Sequence, residues 1–157
     1  MSMLELKQIR KKLGGTDVLN GIDLNVEEGE VVVILGPSGS GKTTLLRTIN
    51  FLNPADSGTV TLDGLRVDAS RHRRREVQQL REKTGMVFQN YNLFRNKTVL
   101  HNITAGLTAV RRIHREEAER IAMDLLGRVN LADRAGPIPG SCPADSSNAW
   151  ASAAHWR

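Results

Sequence analysis

The stretch Val31-Val32-Val33-Ile34-Leu35-Gly36-Pro37-Ser38-Gly39-Ser40-Gly41-Lys42-Thr43-Thr44-Leu45-Leu46 decides how this chain is read. Its first five residues are an unbroken apolar, mostly β-branched run, the pattern of a strand buried on both faces in a parallel sheet. The next eight fit G-x-x-x-x-G-K-[ST] at every fixed position. A loop of this kind turns its backbone N–H groups inward on a phosphate chain, and Gly36, Gly39 and Gly41 permit the dihedrals and the close approach that this requires. Residues 42–51 are predicted to be helical, with Leu45, Leu46 and Ile49 at helical spacing, so a helix N-terminus faces the same anion. Lys42 supplies a point charge for the β- and γ-phosphates, and the Thr43 hydroxyl is placed to ligate Mg²⁺. Pro37, Ser38, Ser40 and Thr44 complete the predicted phosphate-lining set. Strand, loop and helix together point to nucleoside triphosphate binding.

Outward from the loop the patterns are simple. Leu4, Leu6 and Ile9 form a partly alternating segment that ends in Lys11-Lys12-Leu13-Gly14-Gly15. Ile22, Leu24 and Val26 then alternate with polar residues as in a half-buried strand. Downstream, residues 59–62 read as a short strand, Asp63-Gly64 as a hairpin turn and residues 76–83 as a helix. Met86-Val87-Phe88 reads as a short apolar strand. Residues 98–107 and 115–129 are predicted helices, the second opening on Glu116-Glu117, acids suited to a helix N-terminus.

The 157 residues match one domain's length, and 39% hydrophobic with 25% charged content excludes a disordered or fibrous chain. The longest apolar run, at residues 31–35, is far too short to span a membrane, and no signal-peptide pattern is present. One cysteine excludes a disulfide framework and makes a cytoplasmic address the default. The net charge of +5 owes much to Arg71-His72-Arg73-Arg74-Arg75. That cluster reads as a solvated loop and helix start, as a nucleic-acid patch or as a contact for anionic lipid headgroups. With three Phe and one Tyr outside residues 136–157, aromatic platforms for bases are scarce, and no nucleic acid is expected as partner.

With the phosphate loop in place, the flanking residues resemble the ATP-binding subunit of an ABC transporter. Val18-Leu19-Asn20-Gly21-Ile22-Asp23-Leu24 is similar to the family's strand before Walker A, and Gly58-Thr59-Val60 to its "SGxV" strand entry. Gly85-Met86-Val87-Phe88-Gln89-Asn90-Tyr91-Asn92-Leu93-Phe94 resembles the Q-loop, which implies that Gln89 touches Mg²⁺ and the attacking water. Asn96-Lys97-Thr98-Val99-Leu100 with Asn102-Ile103 resembles the start of the helical subdomain that meets the permease. The branch most similar imports polar amino acids and includes cystine-type subunits. The alternatives are a non-transport ABC ATPase acting on nucleic acid and a non-catalytic nucleotide-binding fragment.

The resemblance implies an α/β P-loop fold: an antiparallel β portion, a mainly parallel core sheet and the start of a helical subdomain. It implies ATP and Mg²⁺ as cofactors, with Lys42 and Gln89 in catalysis and Thr43 and Gln89 at the metal. Its implied partners are a transmembrane permease, a second ATPase subunit and, indirectly, a substrate-binding protein, at the inner face of the membrane. Leu13 and Val18 take the places that pack on adenine. The family usually has an aromatic residue where Leu13 stands, and a leucine lacks the stacking geometry.

Residues 1–135 carry the resemblance, while residues 136–157 do not fit it. The signature LSGGQ, a Walker B strand ending in Asp-Glu and a switch histidine are absent from these 157 residues, and His72, His101, His114 and His155 read as ordinary histidines. Hydrolysis by the chain as written is therefore not expected. In residues 136–157, 14 of 22 are Ala, Ser, Pro or Gly, yet both tryptophans and the only cysteine also fall there. If Ser141, Ser146 and Ser147 use AGY codons, the shifted frame, barring stops, must read Leu once and Gln three times, and it permits Q-L-S-G-G-Q-Q-Q-R. This resembles the missing signature, so residues 136–157 are expected to be an out-of-frame, disordered tail. TCN codons at those serines would sink that expectation. Loss of strands flanking residues 31–35 is expected to leave the chain poorly soluble, with weak ATP affinity and no turnover.

Overall fold

The computed structural model describes residues 2–88, 93–94 and 96–136. These fall into two compact units that divide between Thr84 and Gly85.

In the first unit β1 (Ser2–Leu13) and β2 (Thr16–Glu27) form a long antiparallel hairpin. A second hairpin, β3 (Ser57–Leu62) and β4 (Leu65–Asp68), turns at Asp63-Gly64, both at positive φ (47° and 75°), as the twist of a tight hairpin demands. The sheet order is β2-β1-β3-β4, antiparallel throughout. Register sets Leu24, Leu6, Val60 and Val67 side by side across the four strands, and Val26, Leu4, Leu62 and Leu65 in the parallel row. Because strand side chains alternate, both rows lie on one face. That face meets Leu45 of α1 (Lys42–Ile49) and Leu80 of α2 (Arg74–Lys83), forming a core in which Ile9, Val60, Val67 and Leu80 are fully buried.

Helix α1 ends on a residue no glycine rule would select. Phe51 sits at φ 57° with its ring buried, and its N–H donates to the Thr48 carbonyl at 3.2 Å. A left-handed non-glycine residue is held only where its surroundings over-determine it. Here the Arg81 guanidinium of α2 donates to the carbonyls of Asn50 and Phe51, at 3.3 and 2.8 Å.

Two strand expectations are corrected. Residues 31–35 form no strand, and Val31, Val33 and Leu35 are 87%, 71% and 86% exposed, while Ile34 alone leans on the core. A ladder needs a neighbour, and among the described residues no strand pairs with this run, so no parallel sheet forms there. Met86-Val87-Phe88 is likewise not a strand, and Val87 is about half exposed.

In the second unit α3 (Val99–Ala109) packs on α4 (Arg115–Arg128) through Val99, Ile103, Ala122 and Leu126. The Thr98 hydroxyl caps α3 by accepting from the His101 N–H at 3.1 Å. Asn102 pins the preceding loop: its side-chain oxygen accepts from the Phe94 N–H at 2.7 Å, and its amide donates to the Phe94 and Thr98 carbonyls at 3.2 and 2.9 Å. Helix α4 closes in a Schellman motif at Asn130 (φ 57°), with Leu131 N–H on the Leu126 carbonyl and Asn130 N–H on that of Gly127. A 3₁₀ turn (Ala132–Arg134) follows, and the Ala135 carbonyl accepts from the Leu100 N–H at 3.0 Å.

Candidate nucleotide site

Residues 36–41 form a turn that delivers the chain into α1, with the Ser40 N–H on the Pro37 carbonyl at 3.3 Å. Gly41 is the N-cap of α1, at φ 90° and ψ 0°, and its carbonyl takes the first helical bond from the Leu45 N–H at 2.8 Å. Two constraints require glycine there. The φ is left-handed, and a Cβ would lie 3.1 Å from Val18 Cγ1, 3.1 Å from the Val18 carbonyl and 3.3 Å from Leu19 Cδ2. The loop is thus seated directly on β2, which fixes where α1 begins.

No side chain caps α1, and no acid lies in its first turn. The N–H groups of the first helical turn have no intrahelical partner, and with the partial positive charge of the helix end they make an anion site. The Lys42 ammonium folds back over the loop, donating to the carbonyls of Gly36 and Pro37 at 2.8 and 2.6 Å, with Ser40 Oγ at 3.5 Å. Lys42 thereby sits at the loop, where an anion would exchange carbonyl partners for phosphate oxygens. The chemistry present — oriented N–H donors, one ammonium and a helix N-terminus — fits a polyphosphate.

Of the other predicted residues, Pro37, Ser38, Gly39, Ser40 and Thr43 are exposed and Thr44 is half-buried, all in or next to the loop. Ser40 Oγ lies 2.9 Å from where a Cβ on Gly36 would stand, so this serine lies close over the loop's first residue. Leu13 is 43% exposed at the end of β1, and Val18 is half-buried on β2 against Gly41. Gln89 lies outside the described residues. Among the described residues no group of three or more His, Cys, Asp or Glu could hold a metal ion. Sequence reading missed the seating of Gly41 on Val18, although the glycine before the lysine was its visible trace.

The family model for the ABC transporter matches residues 19–147. The chain belongs to the ABC transporter ATP-binding family. Among ABC relatives, the L-cystine transport system ATP-binding protein TcyN of Escherichia coli (strain K12) is 47% identical over 142 residues, covering 88% of this chain and 57% of that protein. The glutamine transport ATP-binding protein GlnQ of the same organism is 48% identical over 137 residues, covering 87% and 56%. The chain thus spans about half the length of the curated relatives it matches. Among solved structures, the dimeric ABC cassette MJ0796 bound to ADP and Pi superposes with a TM-score of 0.82 at 31% identity, covering 98% of this chain and 68% of that one. CbiO1 from Clostridium perfringens, part of an ABC transporter complex, gives 0.82 at 26% identity, covering 98% and 60%. The α/β fold of an ABC ATPase cassette is therefore the fold of this chain, in part, with its antiparallel sheet formed as expected.

Proposed function

We propose that this chain is ATP-binding sequence of an ABC importer for polar amino acids, in which ATP binding and hydrolysis drive transport. The observation that carries the nucleotide reading is the α1 N-terminus: uncapped by any side chain, set by a left-handed Gly41 and crossed by the Lys42 ammonium. In this reading residues 36–44 enclose the phosphates, Thr43 and Gln89 ligate Mg²⁺, and Leu13 and Val18 pack on the base. When bound, Mg²⁺ would neutralise phosphate charge and help to orient water. Lys42 holds the terminal phosphates by exchanging the Gly36 and Pro37 carbonyls for their oxygens.

The substrate class draws on the relatives, whose names specify cystine and glutamine. The partners follow from the same reading: a membrane permease, a second copy of the ATPase and a substrate-binding protein. Among the described residues no helix is long and apolar enough to cross a membrane, which accords with a subunit that reaches the cytoplasmic face of the bilayer through its permease. Because the signature, Walker B and switch histidine are missing from these 157 residues, binding without turnover is expected of this chain by itself.

A fluorescent ATP analogue titrated against the chain and against Lys42→Ala tests the site. Loss of one charge-assisted phosphate contact, worth about 1.5–3 kcal/mol, should weaken binding by roughly 10- to 100-fold. Equal binding by both proteins would overturn the reading of the site, and steady phosphate release by the parent chain would overturn the expectation of binding without turnover.

A further inference from the structure

The arginine cluster at the start of α2 is not used by the nucleotide site. Arg71, Arg73, Arg74 and Arg75 are all exposed, and none takes part in an ion pair among the described residues. The backbone that carries them is held at several points. Asp68 accepts from the Ser70 N–H and hydroxyl at 2.8 and 2.7 Å, and Ala69 is buried. His72 Nδ1 lies 3.0 Å from the Ala69 carbonyl, and its ring meets Phe51 edge-on at 5.0 Å and 73°. Glu76 then accepts from the Arg73 N–H at 2.8 Å as α2 begins. The two neighbouring acids, Asp68 and Glu76, are thus hydrogen-bonded to the backbone and hydroxyl groups that shape the turn; Asp68 also feels the charge of Arg71, and all four arginines remain exposed. They form a positive surface on an ordered support.

We propose that residues 71–75 are a docking surface for the anionic phospholipid headgroups of a membrane. Guanidinium groups suit phosphate oxygens, and a cluster of them on a fixed backbone attracts an anionic surface. Single-stranded nucleic acid is disfavoured because stacking favours broad aromatic platforms, and residues 71–75 carry no Phe, Tyr or Trp: their one ring, His72, is exposed and meets the buried Phe51 edge-on. The choice of a bilayer rests on the proposed place of this chain beside a membrane permease.

The test is co-sedimentation of the full chain with vesicles of phosphatidylcholine alone or with roughly one-third phosphatidylglycerol, since each arginine near an anionic surface is worth about a fivefold change in partitioning. The parent chain should bind the anionic vesicles selectively and be released by salt. The quadruple variant with Arg71, Arg73, Arg74 and Arg75 each changed to Gln should lose about a hundredfold or more, and the quadruple Lys variant should retain binding. Circular dichroism checks the fold of both, and if the Gln variant is unfolded, the salt titration of the parent and the Lys variant decide. Binding by a folded Gln variant equal to the parent's, no preference for anionic vesicles, no salt dependence, or stronger binding to a DNA or RNA oligonucleotide would overturn the proposal. ATP-analogue affinity is read in parallel. Its loss with vesicle binding intact counts against the nucleotide site alone.

Discussion

Gly41 and Gly39 both carry positive φ, 90° and 81°, but only one of them has a neighbour where a side chain would go. Gly41→Ala places a methyl group 3.1 Å from both the Val18 carbonyl and Val18 Cγ1, whereas the same change at Gly39 meets nothing within 4 Å. The left-handed backbone costs an alanine about 1–2 kcal/mol at either site. At Gly41 the overlap forces β2 or the start of α1 to shift, adding about 1–3 kcal/mol as for other overpacked contacts. The expected losses are therefore about 2–5 kcal/mol for Gly41→Ala and about 1–2 kcal/mol for Gly39→Ala. With a urea dependence of about 1 kcal/mol per molar for a unit this small, the two midpoints should differ by roughly 1 M or more. Far-ultraviolet circular dichroism across a urea series reads both. Coincident midpoints would show that the seating of the loop on β2 does not hold the α1 N-terminus, and the account of the site's rigidity would fall.

Three further changes follow from the same coordinates. Val33→Lys, at a side chain 71% exposed, should cost less than about 0.5 kcal/mol and lower aggregation by interrupting the unpaired apolar run; unchanged light scattering would refute it. Asn102→Ala removes the acceptor for the Phe94 N–H, and loss of a bond worth about 1 kcal/mol should speed exchange of that amide roughly fivefold by NMR; unaltered exchange would count against Asn102 as the pin of this loop. Lys11 donates to Asp56 at 2.7 Å and, with the Lys12 N–H, holds its carboxyl below the ordinary value of 3.8. Such a group stabilises fully above that value and loses its effect as pH falls through the lower folded value, so Asp56→Asn should flatten the decline of the urea midpoint below about pH 4. Parallel declines in the two proteins would exclude this clip.

The hairpins and helices were legible because each carries its own signal: Leu4 and Leu6 alternate, Asp63-Gly64 suits a tight turn, and α4 has Glu116-Glu117 in its first turn. Residues 31–35 were misread as a paired strand because a run apolar on both faces specifies a need for neighbours without supplying them. Met86-Val87-Phe88 failed for the same reason. At the nucleotide site the motif identified the loop residues, and the three glycines marked unusual backbone. It could not show that Gly41 rests on Val18, since that contact joins residues distant in sequence through the packing of α1 on β2. Nor could it place the Lys42 ammonium, whose partners are main-chain carbonyls brought within reach only when the loop closes. The strained Phe51 left no trace either, because Arg81 in another helix holds it.

The exposure of Val31, Val33 and Leu35 also shapes how the chain responds to temperature. Heat capacity rises on unfolding in proportion to the apolar surface newly wetted. These side chains are wet before unfolding begins, so they contribute little to that increment. A smaller increment broadens the stability dome and weakens the loss of stability on cooling. Covering the same side chains with any partner would steepen the curve, and calorimetry would register the covering as a gain in unfolding heat capacity even where the melting temperature barely moved.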